Sequence, residues 1–210
     1  TLRERRLVRG WRDEPFAIAS RFGEPPAFLL ERAALPLFGA RGYGVHINGF
    51  VRCGGEKLLW VGVRAKDKPT YPGRLDQVVA GGQPAGLSVR ENLTKECEEE
   101  AGISAELAST AVPVGTISYC MATPLGVRPD TLFVFDLELP PEFEPQNTDG
   151  EVERFELWSM GRIEQTLRES TAFKTNCALV FIDFLVRHGH LGPESNDYER
   201  LVGTLRGTWP

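Results

Sequence analysis

The chain has 210 residues, with 24 Lys or Arg, 29 Asp or Glu and a formal charge of −5. Hydrophobic residues make up 41% and charged residues 25%, which predicts one packed globule with at most a modest extension. The acidic balance argues against a nucleic-acid partner, which needs basic surface, and no run of ~18 apolar residues exists to span a membrane. The opening TLRERRLVRGW lacks the apolar core of a signal peptide. Cys53, Cys97, Cys120 and Cys177 are far apart and form no CxxC pair, so neither a zinc site nor a disulfide scaffold is expected. A reducing cytoplasm fits that usage, and Cys97 and Cys177 read as small buried hydrophobes.

Residues 1–42 read as an N-terminal extension or part of a larger cap domain, and residues 43–210 as the main domain. In the extension, Trp11–Phe16 is expected to be extended or turned. Ala27–Ala34 is expected to be a short amphipathic helix, punctuated by Pro25, Pro26 and Pro36. Strand signals begin at Tyr43. Val45, Ile47, Phe50 and Val51 form one run, Gly54-Gly55 a turn, and Leu58–Val63 the returning strand of a hairpin. Leu75–Ala80 leads into a glycine loop and a helix. Val112–Tyr119 and Thr131–Leu139 are further strands, the second alternating Leu132, Val134 and Asp136 against Phe133, Phe135 and Leu137. Pro140–Asn147 is a loop, Glu153–Trp158 a strand, and Arg162–Glu169, Phe173–His188 and Asn196–Leu205 are helices. Interleaved strands and helices predict an α+β fold with a mixed sheet between helices.

The most informative stretch is GGQPAGLSVRENLTKECEEEAGI, Gly81–Ile103. On a helix, Glu96, Glu99 and Glu100 share one side, with Asn92 a turn earlier, beside an apolar stripe of Val89, Leu93, Cys97 and Ala101. Like charges so close repel unless something positive sits among them. A hard divalent cation such as Mg²⁺ favours carboxylate oxygens and resolves the repulsion. Gly102 is a helix stop signal.

At these residues the chain resembles the Nudix hydrolases. Gly81, Glu96, Cys97, Glu99, Glu100, Gly102 and Ile103 stand in register with that family's box, whereas Leu87 replaces its first Glu and Lys95 its Arg. LDQVVAGGQPAGLSVRENLTKECEEEAGI, TISYC, NTDGEVERFELW and FKTNCALVFIDFLVRHG are similar to one subfamily, related to the Nudix domain fused to thiamine pyrophosphokinase. Thr175 stands where that pattern expects Pro. The resemblance implies an α/β/α sandwich and hydrolysis of a small diphosphate, thiamine diphosphate or its oxidised forms, to the monophosphate. It also implies Mg²⁺ or Mn²⁺ on Glu96, Glu99 and Glu100, with the Ala80 carbonyl as a further ligand. Lys95 keeps the charge of the bracing Arg without its planar fork, and can pair with Glu91 or Glu99. Leu87 leaves the number of ions open. A homodimer is compatible with this reading.

A proton acceptor must come from elsewhere, because no His lies near the box in sequence. Family members commonly supply a further Glu from a distant loop, and Glu151 in NTDGEV is the best match, with Glu153 second; Glu99 is a third candidate. His46, His188 and His190 read as structural. Arg64, Lys66 and Lys68 form a basic loop after a strand, and Lys174 and Asn176 open a helix; these are the expected phosphate contacts. Tyr119, Phe173 and Trp60 are candidates for an aromatic wall against a cationic ring. Two other readings remain open: a Nudix-fold module that binds such a ligand without turnover, and a pyrophosphatase for ADP-sugar, dinucleotide or coenzyme A substrates.

Overall fold

The computed structural model describes residues 2–5, 7–68, 70–148 and 150–207. At its centre is a seven-stranded mixed sheet. The long strand β3 (Gly42–Cys53) is the pivot. Its second half pairs antiparallel with β4 (Glu56–Arg64) and its first half with β6 (Val79–Gly82). On its other side it runs parallel to β8 (Gly126–Glu138), which pairs antiparallel with β7 (Val112–Thr123). Strands β5 (Leu75–Gln77) and β9 (Val152–Ser159) flank β4. The expected hairpin is there: Gly54 and Gly55 both take positive φ, 58° and 86°, as its turn requires.

Strand alternation sorts the core into two layers. Val45 and Ile47 of β3, with Phe135 and Leu137 of β8, pack against Leu93, Cys97 and Ala101 of α2 (Val89–Ala101). Leu132 and Val134 face the other way, onto Val180 of α5 (Thr175–Arg187) and Leu205 of α6 (Tyr198–Arg206). Ile163 of α4 (Met160–Glu169) joins Phe181, Phe184 and Leu185 over β4. The result is a helix–sheet–helix sandwich, as the resemblance implied.

Two elements were not anticipated. The short helix α3 (Ala105–Ser109) follows α2, capped by the Ser104 side chain. The β7–β8 hairpin continues to Thr123 and Gly126, through a stretch whose Pro124 and Pro129 disguise it. One expectation fails. Ala27–Ala34 is not a helix but strand β2 (Phe28–Glu31) and a 3₁₀ turn, Arg32–Ala34, leading into the single turn α1 (Leu35–Phe38). Strand pairing overrides the helical spacing: Phe28–Glu31 pairs antiparallel with β1 (Pro15–Ile18). Glu31 then fastens the corner by accepting from the amides of Arg12, Glu14 and Ala33.

Candidate active site

Helix α2 is defined at both ends by its own residues. Ser88 Oγ accepts from the Glu91 amide at 3.2 Å, while Glu91 accepts from the Ser88 amide at 2.8 Å, a reciprocal cap. Gly102 ends the helix at φ 62°. Of the apolar stripe, Leu93, Cys97 and Ala101 are buried and Val89 is half-buried, and two polar side chains tie the helix to β6. Asn92 Nδ2 donates to the Gly82 carbonyl at 2.9 Å, and Glu100 Oε2 accepts from the Ala80 amide at 2.7 Å. Gly81 allows the closest approach, since any Cβ there would lie 2.2–2.5 Å from the Glu96 side chain.

The three glutamates differ in environment. Burial pushes the Glu100 carboxyl up to about 8, with Glu96 adding to the shift against the Ala80 hydrogen bond. Burial also raises Glu96, although Lys95 opposes it. Lys95 Nζ bridges Glu99 at 2.7 Å and Glu96 at 3.2 Å; its other sequence candidate, Glu91, is committed to the cap. The three carboxylates do not all meet within 4.8 Å. They are nonetheless a hard-oxygen donor set on separate arms, and the buried Glu100 carboxyl, pushed up to about 8, has no cationic partner among the described residues. That fits Mg²⁺ or Mn²⁺, which need only one or two carboxylates and keep their waters.

These glutamates line a cleft of about 250 Å³. The loop before β9 is folded over the end of α2. The Gln146 amide donates to the Ala101 carbonyl at 3.0 Å, and Thr148 Oγ1 donates to the Glu98 and Glu99 carbonyls. This brings Glu151 to the cleft, where it pairs with Lys68 at 2.5 Å and Arg12 at 3.7 Å. Burial disfavours its charge, but Lys68, Arg12 and Arg64 outweigh that and hold the carboxyl below its usual range.

The same cleft is lined by cations anchored on one acid. Asp76 is buried and pairs with Arg64 at 3.0 Å and Lys174 at 3.2 Å. Burial works against its charge, yet the two cations hold it well below the usual carboxylate range. Cys177 donates its thiol proton to Asp76 at 2.6 Å, so it is more than a small hydrophobe. Asn176 and His46 also line the cleft. Gln77 Nε2 donates to the Cys177 carbonyl at 3.0 Å, leaving Oε1 to accept from His46 Nδ1 at 2.8 Å. His46 is thus protonated on Nδ1, and burial followed by Lys174 lowers its pKa to about 4, so it is neutral. His46, Asp76 and Cys177 lie within metal-ligand spacing of one another. Arg64 and Lys174 already offset the Asp76 charge, so this corner suits an anion better than a metal ion.

The other sequence candidates divide. Tyr119 lines the cleft, donating to Asp130 at 2.9 Å. Trp60 and Phe173 pack in the core instead, Trp60 beneath α2 and Phe173 against Phe181. Lys66 is exposed and away from the cleft lining, and Lys68 reaches it through Glu151. Glu153 pairs with its neighbour Arg154. His188 bonds Asp136 and Lys57, and His190 bonds Glu164. Sequence reading missed that His46 pairs directly opposite Ala80 and so does lie beside the box. It also missed the N-terminal hairpin, whose Arg12, Glu14, Phe16 and Arg32 line the cleft; the Phe16 ring and Arg32 sit where a Cβ on Gly82 would fall.

A MutT/nudix family protein from Enterococcus faecalis shares this architecture at TM-score 0.54 and 12% identity, over 78% of this chain and 68% of that one. The chain has the Nudix fold. A Deinococcus radiodurans structure matches this Nudix fold at TM-score 0.56 and 19% identity, over 80% of this chain and 97% of that one. Nudix hydrolase 20, chloroplastic, of Arabidopsis thaliana is 49% identical over 98% of this chain and 55% of its own length, which supports the Nudix hydrolase superfamily. The chain spans about half the length of the plant relatives it matches. Residues 1–42 separately match a family described as a domain of unknown function, DUF4743.

Proposed function

We propose that this chain is a metal-dependent Nudix diphosphohydrolase whose preferred substrate is thiamine diphosphate or an oxidised form of it, cleaved to the monophosphate. The observation that carries the reading is the composition of one cleft. It gathers Glu96, Glu99, Glu100 and Glu151 with Arg64 and Lys174, so ligands for a hard cation and partners for phosphate share one space. The resemblance of TISYC, NTDGEVERFELW and FKTNCALVFIDFLVRHG to the thiamine-related subfamily supports the finer substrate.

Glu96, Glu99, Glu100 and the Ala80 carbonyl would hold Mg²⁺ or Mn²⁺. When bound, such an ion offsets charge on the diphosphate oxygens and makes water a better nucleophile. The protein's own groups do the rest. Arg64, Lys174 and Asn176 bind and orient the diphosphate, with Asp76 fixing the two cations. Glu151, kept ionised by Lys68, accepts a proton of the attacking water as the water oxygen bonds to one phosphorus and the P–O–P bridge breaks, giving the organic monophosphate and phosphate. Lys95 spaces Glu96 from Glu99, and the Ala80 amide steadies Glu100.

The test is formation of monophosphate products in Mg²⁺, resolved by chromatography, from thiamine diphosphate, oxythiamine diphosphate, ADP-ribose, NADH and coenzyme A. Preferred cleavage of the thiamine compounds to monophosphates, abolished by chelator, is the expected result. Preferred cleavage of another compound would retain the hydrolase and replace the substrate. Binding of one compound with no cleavage of any would overturn the enzyme in favour of a binding module.

A further inference from the structure

The N-terminal hairpin is fastened to the glycine loop. The Ala85 amide donates to the Pro15 carbonyl at 2.8 Å, which ties β1 to the loop leading into α2. Phe16 is only 4% exposed, and its ring packs over Gly82, where a Cβ would come within 2.8 Å of it. The backbone around Arg32 is held on both sides. Its own amide donates to the Glu14 carbonyl at 3.0 Å, and Glu31 accepts from the amides of Glu14 and Ala33.

Arg32 is presented to the cleft from this platform. Its guanidinium stands over the Phe16 ring, 5.9 Å from the centroid, and Nη1 donates to Glu14 at 2.9 Å. Nε and Nη2 make no hydrogen bond to any described residue, and 32% of the side chain is exposed where it lines the cleft. Arg64 differs. It is 9% exposed and bonds from all three nitrogens, to Asp76 and to the Thr70 and Tyr71 carbonyls. Arg64 and Lys174 gather at Asp76 on β5, whereas Arg32 stands at Gly82, the far end of β6. Burial raises the Glu96 carboxyl, and Arg32, after Lys95, opposes it, so this cation belongs to the side of the glutamates. A fixed guanidinium with one unused planar edge matches two oxygens of a phosphate.

We propose that Arg32 binds a phosphate of the substrate, and that the hairpin carrying it, within the segment that matches DUF4743, is part of the active site. This deepens, and rests on, the reading of the cleft as a site for an organic diphosphate. A diphosphate beside Glu96, Glu99 and Glu100 meets an acidic wall, and Arg32 supplies a cation on that side with donors to spare. Glu14 and Phe16 position it. Arg32 acts on binding of the phosphate, and so on KM.

The experiment is labelling of the wild type with phenylglyoxal, which reacts with accessible guanidinium groups, read peptide by peptide by mass spectrometry. Millimolar inorganic diphosphate with Mg²⁺ should slow labelling of Arg32 several-fold, while Arg200, exposed on α6, labels as before. Equal labelling of Arg32 with and without diphosphate overturns the inference. In steady state, Arg32→Ala and Arg32→Lys should each raise KM about 10-fold or more with a smaller effect on kcat, since Lys keeps the charge and loses the fork. Added guanidinium ion should restore the KM of Arg32→Ala, and urea, its neutral counterpart, should not. A folded Arg32→Ala with the wild-type KM also overturns the inference. Monophosphate formation without protection of Arg32 would keep the hydrolase and discard this role for Arg32. Protection without turnover of any compound would keep Arg32 as a phosphate ligand and end the hydrolase reading.

Discussion

Glu151 differs from the helix glutamates in how its charge is held. Glu96 and Glu100 are pushed toward the neutral form by burial, whereas Glu151 is kept ionised by Lys68 and Arg12. A group that stays charged can take a proton; groups whose charge is costly await a cation. Glu151→Gln keeps the shape and removes the acceptor, so kcat should fall by ~10²–10⁴ with little change in Tm. A steady-state comparison with a thermal melt decides it, and a loss under twofold would remove Glu151 from the mechanism. The helix carboxylates could be read from sequence because three- and four-residue spacing alone puts them on one face. His46 could not, because only strand register brings a residue 34 positions away from Ala80 opposite it. Lys66 illustrates the converse: a basic residue next to a site in sequence can point to solvent.

At the scale of the element, the glycine loop and α2 work as one piece. Glu96 lies across Gly81, Asn92 and Glu100 grip β6, and the Ser88–Glu91 cap fixes where the helix begins. Gly81→Ala therefore makes a local prediction. The clash is with the far end of a flexible side chain, so folding should be nearly unaffected, but the Glu96 carboxylate must move. Mg²⁺ affinity should drop about 10-fold or more, the usual penalty for disturbing the support of a ligand. Activity measured against Mg²⁺ concentration would show it, and an unchanged half-saturation point would remove Glu96 from the ion. Elements with a strong local signal were legible in the same way: the Gly-Gly hairpin, the capped helix and the alternating strand β8. Ala27–Ala34 was not, because its apolar spacing suits a helix while its partner, β1, is set by Glu31 gripping amides far back in the chain. The hairpin tip around Pro124 and Pro129 was hidden because prolines usually end strands.

Across the whole molecule, a second set of buried charges joins the sheet to the helices behind it. Asp136 of β8 accepts from Asn48 of β3 at 3.0 Å, from Arg187 at 2.6 and 2.9 Å, and from His188 at 2.9 Å. Arg187 also holds Asp183, which Arg206 of α6 reaches at 2.7 Å. Lys57 donates to His188 Nδ1, so the ring is neutral and gives its Nε2 proton to Asp136. Burial opposes charge on Asp136, but Arg187, His188 and Asn48 outweigh it and depress its pKa. Its contribution is therefore complete above the unfolded value, about 3.9, and is lost as pH falls below that. Burial also lowers His188, over the opposing pull of Asp136, so its contribution begins to fall once pH drops below about 6.5, where the unfolded ring takes up a proton. The wild type should lose stability in two stages on acidification, one beginning near pH 6.5 and one below about pH 4. Asp136→Asn should cost roughly 3 kcal/mol at neutral pH, because it strips Arg187 of one of its two carboxylates. It should also flatten the lower stage and deepen the upper one, since His188 loses the Asp136 carboxylate that favours its protonation. Urea unfolding at a series of pH values from 3 to 8 separates the two stages. If the variant kept the acid limb of the wild type, Asp136 would not be the group that couples this sheet to its helices.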